Sequence, residues 1–124
     1  MALLSIVLPA YNEEQNIANT VSVLSELLEK NSIEYELIFI SDGSRDGTFS
    51  EIRKAAAENG RIRGAEFSRN FGKEAGIFAG LELAGGDAVI GMDCDLQHPP
   101  SAIPEMWKLW QEGAEVVEGI KTSR

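Results

Sequence analysis

The stretch Val89-Ile90-Gly91-Met92-Asp93-Cys94-Asp95-Leu96-Gln97-His98-Pro99-Pro100 decides the reading of the fold. A short apolar run stops at a carboxylate. A second carboxylate stands two positions on, followed by a glutamine, the single histidine and a double proline. A run this short, bounded by turn residues, has the length of a buried strand rather than of a helix. In extended backbone, side chains at i and i+2 share a side, so Asp93 and Asp95 point together and Cys94 points away. Like charges that close raise a carboxyl pKa unless a cation sits near them. A divalent cation with open positions removes the conflict and holds a diphosphate, and Gln97, one more i+2 step, offers it a neutral oxygen. The competing reading has the two acids simply cap the next helix and solvate a loop. Their position at the mouth of a buried strand favours the metal.

Working outward, apolar runs alternate with amphipathic ones. Residues 3–10 (LLSIVLPA), 35–41 (YELIFIS), 62–68 (IRGAEFS), 88–93 (AVIGMD) and 114–120 (AEVVEGI) read as strands. Between them lie helical patterns. The first carries Ile17, Val21, Leu24 and Leu28 on one face, with Asn12 as its N-cap and acids in its first turn. The second puts Phe49, Ile52 and Ala56 on a face and stops at Gly60. The third, residues 73–86, is apolar on most sides and is expected to be well buried. The fourth turns Ile103, Met106, Trp107 and Trp110 inward, carries Pro104 in its first turn and stops at Gly113. Continuous apolar strands separated by amphipathic helices define βαβ units. The predicted fold is an α/β, Rossmann-like, open and mainly parallel sheet with helices on both faces.

Such sheets bind ligands outside the carboxyl ends of their strands. The polar clusters PAYNEE, SDGSRDGT, SRNFGK, DCDLQHPP and KTSR each follow one strand, so the fold gathers them on one rim. Tyr11 is placed to pack on a base, and Glu13 either meets a ligand or serves as a helix-dipole acid. Asp46 and Gly47 read mainly as a turn and cap. Asp42 ends a strand and is placed to accept a hydrogen bond from a base N–H or a ribose hydroxyl. Arg69 and Lys73 meet phosphate or carboxylates, or are surface charge, a reading that weighs more heavily for Lys73. His98 reads as a packed loop residue, and Lys121 and Arg124 lie where chain ends fray.

Composition removes other classes. The 124-residue chain carries a formal charge of −9 and a single cysteine. That excludes a nucleic-acid partner, a polybasic membrane-surface segment and an internal disulfide framework. The N-terminus has no basic leader, and its apolar run is too short for a signal peptide or a span. A cytoplasmic location is expected. There is no Gly-x-Gly-x-x-Gly after the first strand, no P-loop, and no serine elbow or Cys–His nucleophile pattern.

SIVLPAYNEEQNI, SDGSRDGT, SRNFGKEAG and MDCDLQHPP, in this order and spacing, resemble family 2 glycosyltransferases of the GT-A fold. The likeness is strongest to the branch of dolichyl-phosphate mannosyltransferase and the bacterial polyprenyl-phosphate glycosyltransferases, and it runs over essentially the whole chain. It implies that Pro9, Ala10, Tyr11 and Glu13 line a nucleotide pocket, that Asp42 holds the base, and that Arg69 sits near the nucleotide or the acidic loop. It implies that Asp93 and Asp95 form a D-x-D motif binding Mg²⁺ or Mn²⁺, with Gln97 completing the metal site, and that Lys121, with Arg124, meets phosphate. Asp93, Asp95 and Lys121 are then the catalytic set. The family more often has arginine where Lys121 stands, so bidentate pairing is lost there.

The implied reaction is inverting transfer from a nucleoside-diphosphate sugar, UDP favoured over GDP, to a polyprenyl phosphate. Such an acceptor is mostly ionised near pH 7, its second pKa being about 6 by analogy with phosphoserine, and hardly needs a general base. Family members are longer than this chain and often continue into membrane helices. Residues 1–124 are therefore expected to be the donor-binding part of a truncated domain. That part is expected to bind nucleotide and metal yet transfer little sugar by itself, its parent lying at the cytoplasmic face of a membrane, with an exposed edge open to pairing in a homo-oligomer. Three rivals remain. A nucleotidyltransferase usually has a glycine-rich basic loop where PAYNEEQN stands. A receiver-like module requires a lone aspartate where strand three ends in FSRN. A partner-binding fragment with a dead site is the third.

Overall fold

The computed structural model describes residues 2–96 and 99–113. In chain order these form β1 (Leu3–Ala10), α1 (Ile17–Lys30), β2 (Glu34–Ser41), α2 (Thr48–Glu58), β3 (Ile62–Glu66), α3 (Lys73–Leu83), β4 (Ala88–Gly91), a 3-10 turn (Pro100–Ala102) and α4 (Ile103–Gln111). The strands make one parallel sheet in the order β3-β2-β1-β4. β1 and β2 are central, paired from Leu3↔Glu34 to Ala10↔Ser41, and nearly every residue in them is buried. That is the physical meaning of an unbroken apolar run: both faces of the strand are covered.

Residues alternate between the two faces. Leu4, Ile6, Leu8 and Ala10 of β1, with Tyr35, Leu37 and Phe39 of β2, join Ile17, Leu24, Leu28, Ile52, Ile103 and Trp107 in the main core. Val7, Pro9 and Ile40 point to the opposite face, where α3 lies on them through Gly76 and Gly80. A Cβ on Gly80 would stand 2.1 Å from Val7 Cγ1, so only glycine lets this helix come so close.

Several expectations are corrected. α3 is not enveloped. Only Gly76 and Gly80 are buried, and Phe78 is 70% exposed. Its apolar composition does not face one way, because its contact face is made of glycines. Asn12 is not an N-cap. The helix opens at Ile17 with Asn16 as its cap residue and no acid in its first turn, and Asn12 adopts φ +54° in the preceding loop. α2 ends at Asn59 in extended backbone, so Gly60 is not its stop. α4 does begin with Pro104 in its first turn and ends before Gly113, at φ +114°. Ile103 and Trp107 are buried, whereas Met106 and Trp110 are half-buried, with Trp110 stacked on Trp107. The fifth strand and Gln97, His98, Lys121 and Arg124 lie outside the described residues.

The chain steps outward from β1 through β2 to β3, then α3 returns it past β1 to β4. The strand order therefore reverses between β1 and β4. In open α/β sheets the crevice at such a reversal, at the carboxyl ends of the strands, is the binding position.

Candidate functional site

A cleft of about 340 Å³ opens at that position. β1 and its loop supply Pro9, Ala10, Tyr11 and Glu13. The end of β2 supplies Asp42, the segment leading into α3 supplies Asn70, Gly72 and Lys73, and the end of β4 supplies Asp93. A larger groove of about 490 Å³ between α1 and α2 is walled mainly by small and surface residues and brings no chemistry together.

Two of the sequence clusters turn out to be holding each other. The backbone N–H groups of Asn12, Glu13 and Glu14 donate to Ser44 Oγ, Thr48 Oγ1 and Asp46 Oδ2 at 3.1, 2.8 and 3.3 Å. In return, Arg45 N–H donates to Asn12 Oδ1 and Gly47 N–H to Glu14 Oε1, both at 2.9 Å. Asp46 Oδ1 also accepts from the Thr48 N–H and hydroxyl. Burial pushes the Asp46 carboxyl up, but the bonds from the Thr48 hydroxyl, Thr48 N–H and Glu14 N–H outweigh it and hold it below the ordinary aspartate range. Asn12, Glu14, Asp46 and Thr48 thus clasp the loops after β1 and β2 into one wall. The Glu13 carboxylate accepts from Asn16 Nδ2 at 2.6 Å and stays on the cleft side.

Asp42 is 4% exposed and organises the opposite wall. Oδ1 accepts from Phe71 N–H at 2.8 Å, and Oδ2 from Gly72 N–H at 3.0 Å and Asn70 Nδ2 at 3.2 Å. A carboxylate has about four acceptor sites, and bonds among the described residues take three of them. The loop it holds passes so close to Gly43, at φ +67°, that a Cβ there would lie 2.2 Å from the Arg69 carbonyl carbon. Glycine is the residue that allows both the turn and the approach. Clamping residues 70–72 fixes the first residue of α3. Lys73 Nζ then lies 2.7 Å from Asp93 Oδ1.

The acidic pair is not in extended backbone. β4 ends at Gly91, and residues 94 and 95 form a turn closed by Leu96 N–H on Asp93 C=O, with Leu96 at φ +58°. The alternation survives the turn: Asp93 is half-buried, Cys94 is 1% exposed and faces the core, and Asp95 is exposed. Burial, with the nearby charges of Glu13, Asp95 and Asp93, pushes the Cys94 thiol up to about 12. The soft ligand is thereby kept protonated and turned inward, and the donors at the rim are carboxylate oxygens. Among the described residues no three His, Cys, Asp or Glu side chains converge on one point. Two hard oxygens suit Mg²⁺ or Mn²⁺, which use one or two carboxylates and complete their shell with water and phosphate. The donor set fits such an ion.

Of the residues expected at the site, Pro9, Ala10, Tyr11, Glu13, Asp42 and Asp93 share the cleft, with Asp95 beside it on the same turn. Arg69 is instead packed on Phe71, its guanidinium carbon 4.7 Å from the ring centre, and is not part of the cleft wall. Asn70 and Gly72 are the additions. Lys73, weighed chiefly as surface charge, instead meets a carboxylate, and its position carries a signal for it. A cation on the first residue of a helix opposes the macrodipole, so its place there calls for an anion nearby.

The fold and the rim define a Rossmann-like α/β domain with an acidic lip at the reversal of its strand order. The family model for glycosyl transferase family 2 matches residues 5–122, and the chain belongs to that family. The uncharacterized glycosyltransferase YkcC of Bacillus subtilis (strain 168) is 42% identical over 120 residues, covering 97% of this chain and 37% of its own length. The prophage bactoprenol glucosyl transferase homolog of Escherichia coli K12 is 42% identical over 121 residues, 98% of this chain and 40% of its own. The chain thus spans well under half the length of these relatives. The solved mannosyltransferase PcManGT of Pyrobaculum calidifontis, in complex with GDP-Man and Mn²⁺, superposes with TM-score 0.72 at 23% identity, over 85% of this chain and 31% of that one. Glucosyl-3-phosphoglycerate synthase of Mycobacterium tuberculosis, in complex with UDP, gives 0.66 at 26% identity, over 92% and 41%. The fold is that of GT-A glycosyltransferases.

Proposed function

We propose that this chain is the donor-binding part of a glycosyltransferase that moves a hexose from a nucleoside-diphosphate sugar, UDP-glucose before GDP-sugars, to a polyprenyl phosphate, with inversion. The observation that carries the reading is the convergence, at the sheet's reversal point, of Asp42 from β2, Lys73 from α3 and Asp93 from β4 in one cleft. Relatives at 42% identity named as bactoprenol glucosyl transferases support the sugar and the lipid acceptor. A UDP-bound neighbour at 26% identity supports the nucleotide.

The residues divide the work by chemistry. Tyr11, 44% exposed at the cleft, offers its ring to the base. Asp42 accepts a base N–H. Asp93 and Asp95, with Gln97, hold Mg²⁺ or Mn²⁺, and Lys121 meets phosphate. When bound, the ion supplies Lewis-acid stabilisation of the negative charge growing on the departing diphosphate. The walls contribute rigidity. The clasp of the first two loops and the Asp42 clamp fix the cleft before ligand arrives, so little ordering cost falls on binding. An ionised phosphate acceptor attacks the anomeric carbon from the side opposite the diphosphate and inverts it without a protein base. No helix among the described residues is long and apolar enough to cross a membrane. In this reading the parent protein reaches its lipid at the cytoplasmic face through parts outside this chain.

Calorimetric titration of UDP, GDP and their sugar conjugates, with Mn²⁺ and again with EDTA, tests the reading. Metal-dependent binding that is tighter for UDP than for GDP is expected. A folded chain that binds none of them would sink it.

A further inference from the structure

Lys73 shares the cleft with Asp42 and Asp93, yet the division of work above assigns it no step. It stands on the first residue of α3, where the helix's own N–H groups and dipole repel a cation. Its side chain is partly exposed but reaches across to a carboxylate. Its ammonium lies 2.7 Å from Asp93 Oδ1, in the wall of the cleft, with side-chain exposures of 42% and 20% for the two partners. The backbone that sets it there is pinned by Asp42 through Phe71 and Gly72. A cation is thus held by fixed architecture against the carboxylate that the divalent ion needs.

We infer that Lys73 is a resident counter-cation that occupies Asp93 until metal and donor arrive together, and then transfers its charge to the donor diphosphate. The inference rests on the metal-assisted donor reading above and deepens it. Before binding, Lys73 offsets the repulsion between Asp93 and Asp95. A divalent ion arriving alone must displace that pairing. An ion arriving with a diphosphate meets no such cost, because the phosphate oxygens receive the ammonium that Asp93 gives up. Donor and metal therefore bind with positive cooperativity, and a bare nucleoside gains none of it.

The test measures Mn²⁺ binding alone by electron paramagnetic resonance, and UDP and uridine binding in saturating Mn²⁺ by calorimetry. Wild type is compared with Lys73→Met and Lys73→Arg, and with Lys54→Ala as a distant charge control. Circular dichroism confirms folding, which an exposed side chain should not disturb. In Lys73→Met, Mn²⁺ alone should bind about two- to fivefold more tightly, the scale of a partly exposed ion pair. UDP should bind at least about tenfold more weakly, the scale of a lost charge-assisted hydrogen bond. Uridine should be unchanged, and Lys73→Arg should restore most of the UDP affinity. The two opposite signs are what a merely structural lysine would not produce. If wild type binds UDP with Mn²⁺ but Lys73→Met changes neither affinity, or Lys54→Ala changes both equally, the inference fails and the donor reading stands. If wild type binds neither UDP nor Mn²⁺, both fail.

Discussion

The two ends of the same sheet treat acidic residues in opposite ways. At the amino end, Glu36 on β2 is surrounded by donors. Its Oε2 accepts from Ser5 Oγ at 2.5 Å and Gly85 N–H at 2.7 Å, and Oε1 pairs with Arg63 at 3.1 Å. Ser5 Oγ accepts in turn from Gly86 N–H at 2.8 Å, and Asp87 Oδ2 accepts from Leu3 N–H at 2.8 Å. Every partner there is protein, so the network ties β4 and the loop before it to β1 and β2. At the carboxyl end, Asp93 meets the half-exposed Lys73 and Asp95 is exposed. A carboxylate enclosed by fixed donors stabilises a fold. A pair at an exposed rim, one member held by a half-exposed lysine, is open to something that comes and goes. The comparison predicts that substitutions at the two ends separate stability from binding.

The largest effect is expected at the carboxyl end. Asp95→Ala should weaken Mn²⁺-dependent UDP binding by at least the ~10–100-fold that loss of even an outer-sphere metal partner costs. It should leave unfolding free energy within about 0.5 kcal/mol, as surface substitutions do. Calorimetry and urea denaturation on one preparation read both. A variant that loses binding only because it has melted would break the contrast.

Next in size is the mirror case. Glu36→Ala leaves the fully buried Ser5 hydroxyl and the Gly85 N–H without their acceptor. An orphaned buried polar group costs about 1–3 kcal/mol, so the urea midpoint should fall while UDP affinity holds. A pH series sharpens the same point. Burial pushes the Glu36 carboxyl up, but the hydrogen bonds from Ser5 and Gly85 and the Arg63 charge outweigh it and hold it below the ordinary glutamate range. A depressed folded-state pKa means stability that is fully present above the unfolded value, ~4.3, and lost as pH falls through the folded one. The gap in stability between wild type and Glu36→Gln should be constant near neutrality and close below about pH 4.3. A gap that persists unchanged at pH 3 would show that the carboxylate's charge is not what the network uses.

What the sequence made legible follows from range. Strand and helix alternation is a local signal, and each described strand and helix was placed within a few residues. The rim was legible because a parallel sheet sends every strand's end to one side. Pairings across long separations were not. Lys73 and Asp93 are 20 positions apart, and no local pattern joins them. Asn12 was misread as a helix cap because it has a capping residue's chemistry, yet it spends that capacity on Arg45 in the next loop. α3 was misread because hydrophobicity counts Phe78 as core and a glycine as nothing. The structure does the reverse, burying Gly76 and Gly80 and exposing Phe78.

The smallest effect should come from between the two rim aspartates. Cys94 separates them in sequence but faces the core, and its carbonyl accepts from the Thr20 hydroxyl on α1. The side chain thus anchors the turn that presents Asp93 and Asp95 without reaching the cleft. Cys94→Ala keeps the backbone bond to Thr20 and removes one sulfur from the core, a change expected to cost about 1 kcal/mol of stability, typical of single substitutions. Binding of UDP with Mn²⁺ should be unaltered. With its thiol pushed up to about 12 and 1% exposed, native Cys94 should not react with Ellman's reagent at pH 8, and should react fully in urea. Rapid native labelling, or loss of nucleotide binding in Cys94→Ala, would mean that the thiol shares the rim with its neighbours, and the division between a closed core and an open lip would have to be redrawn at this turn.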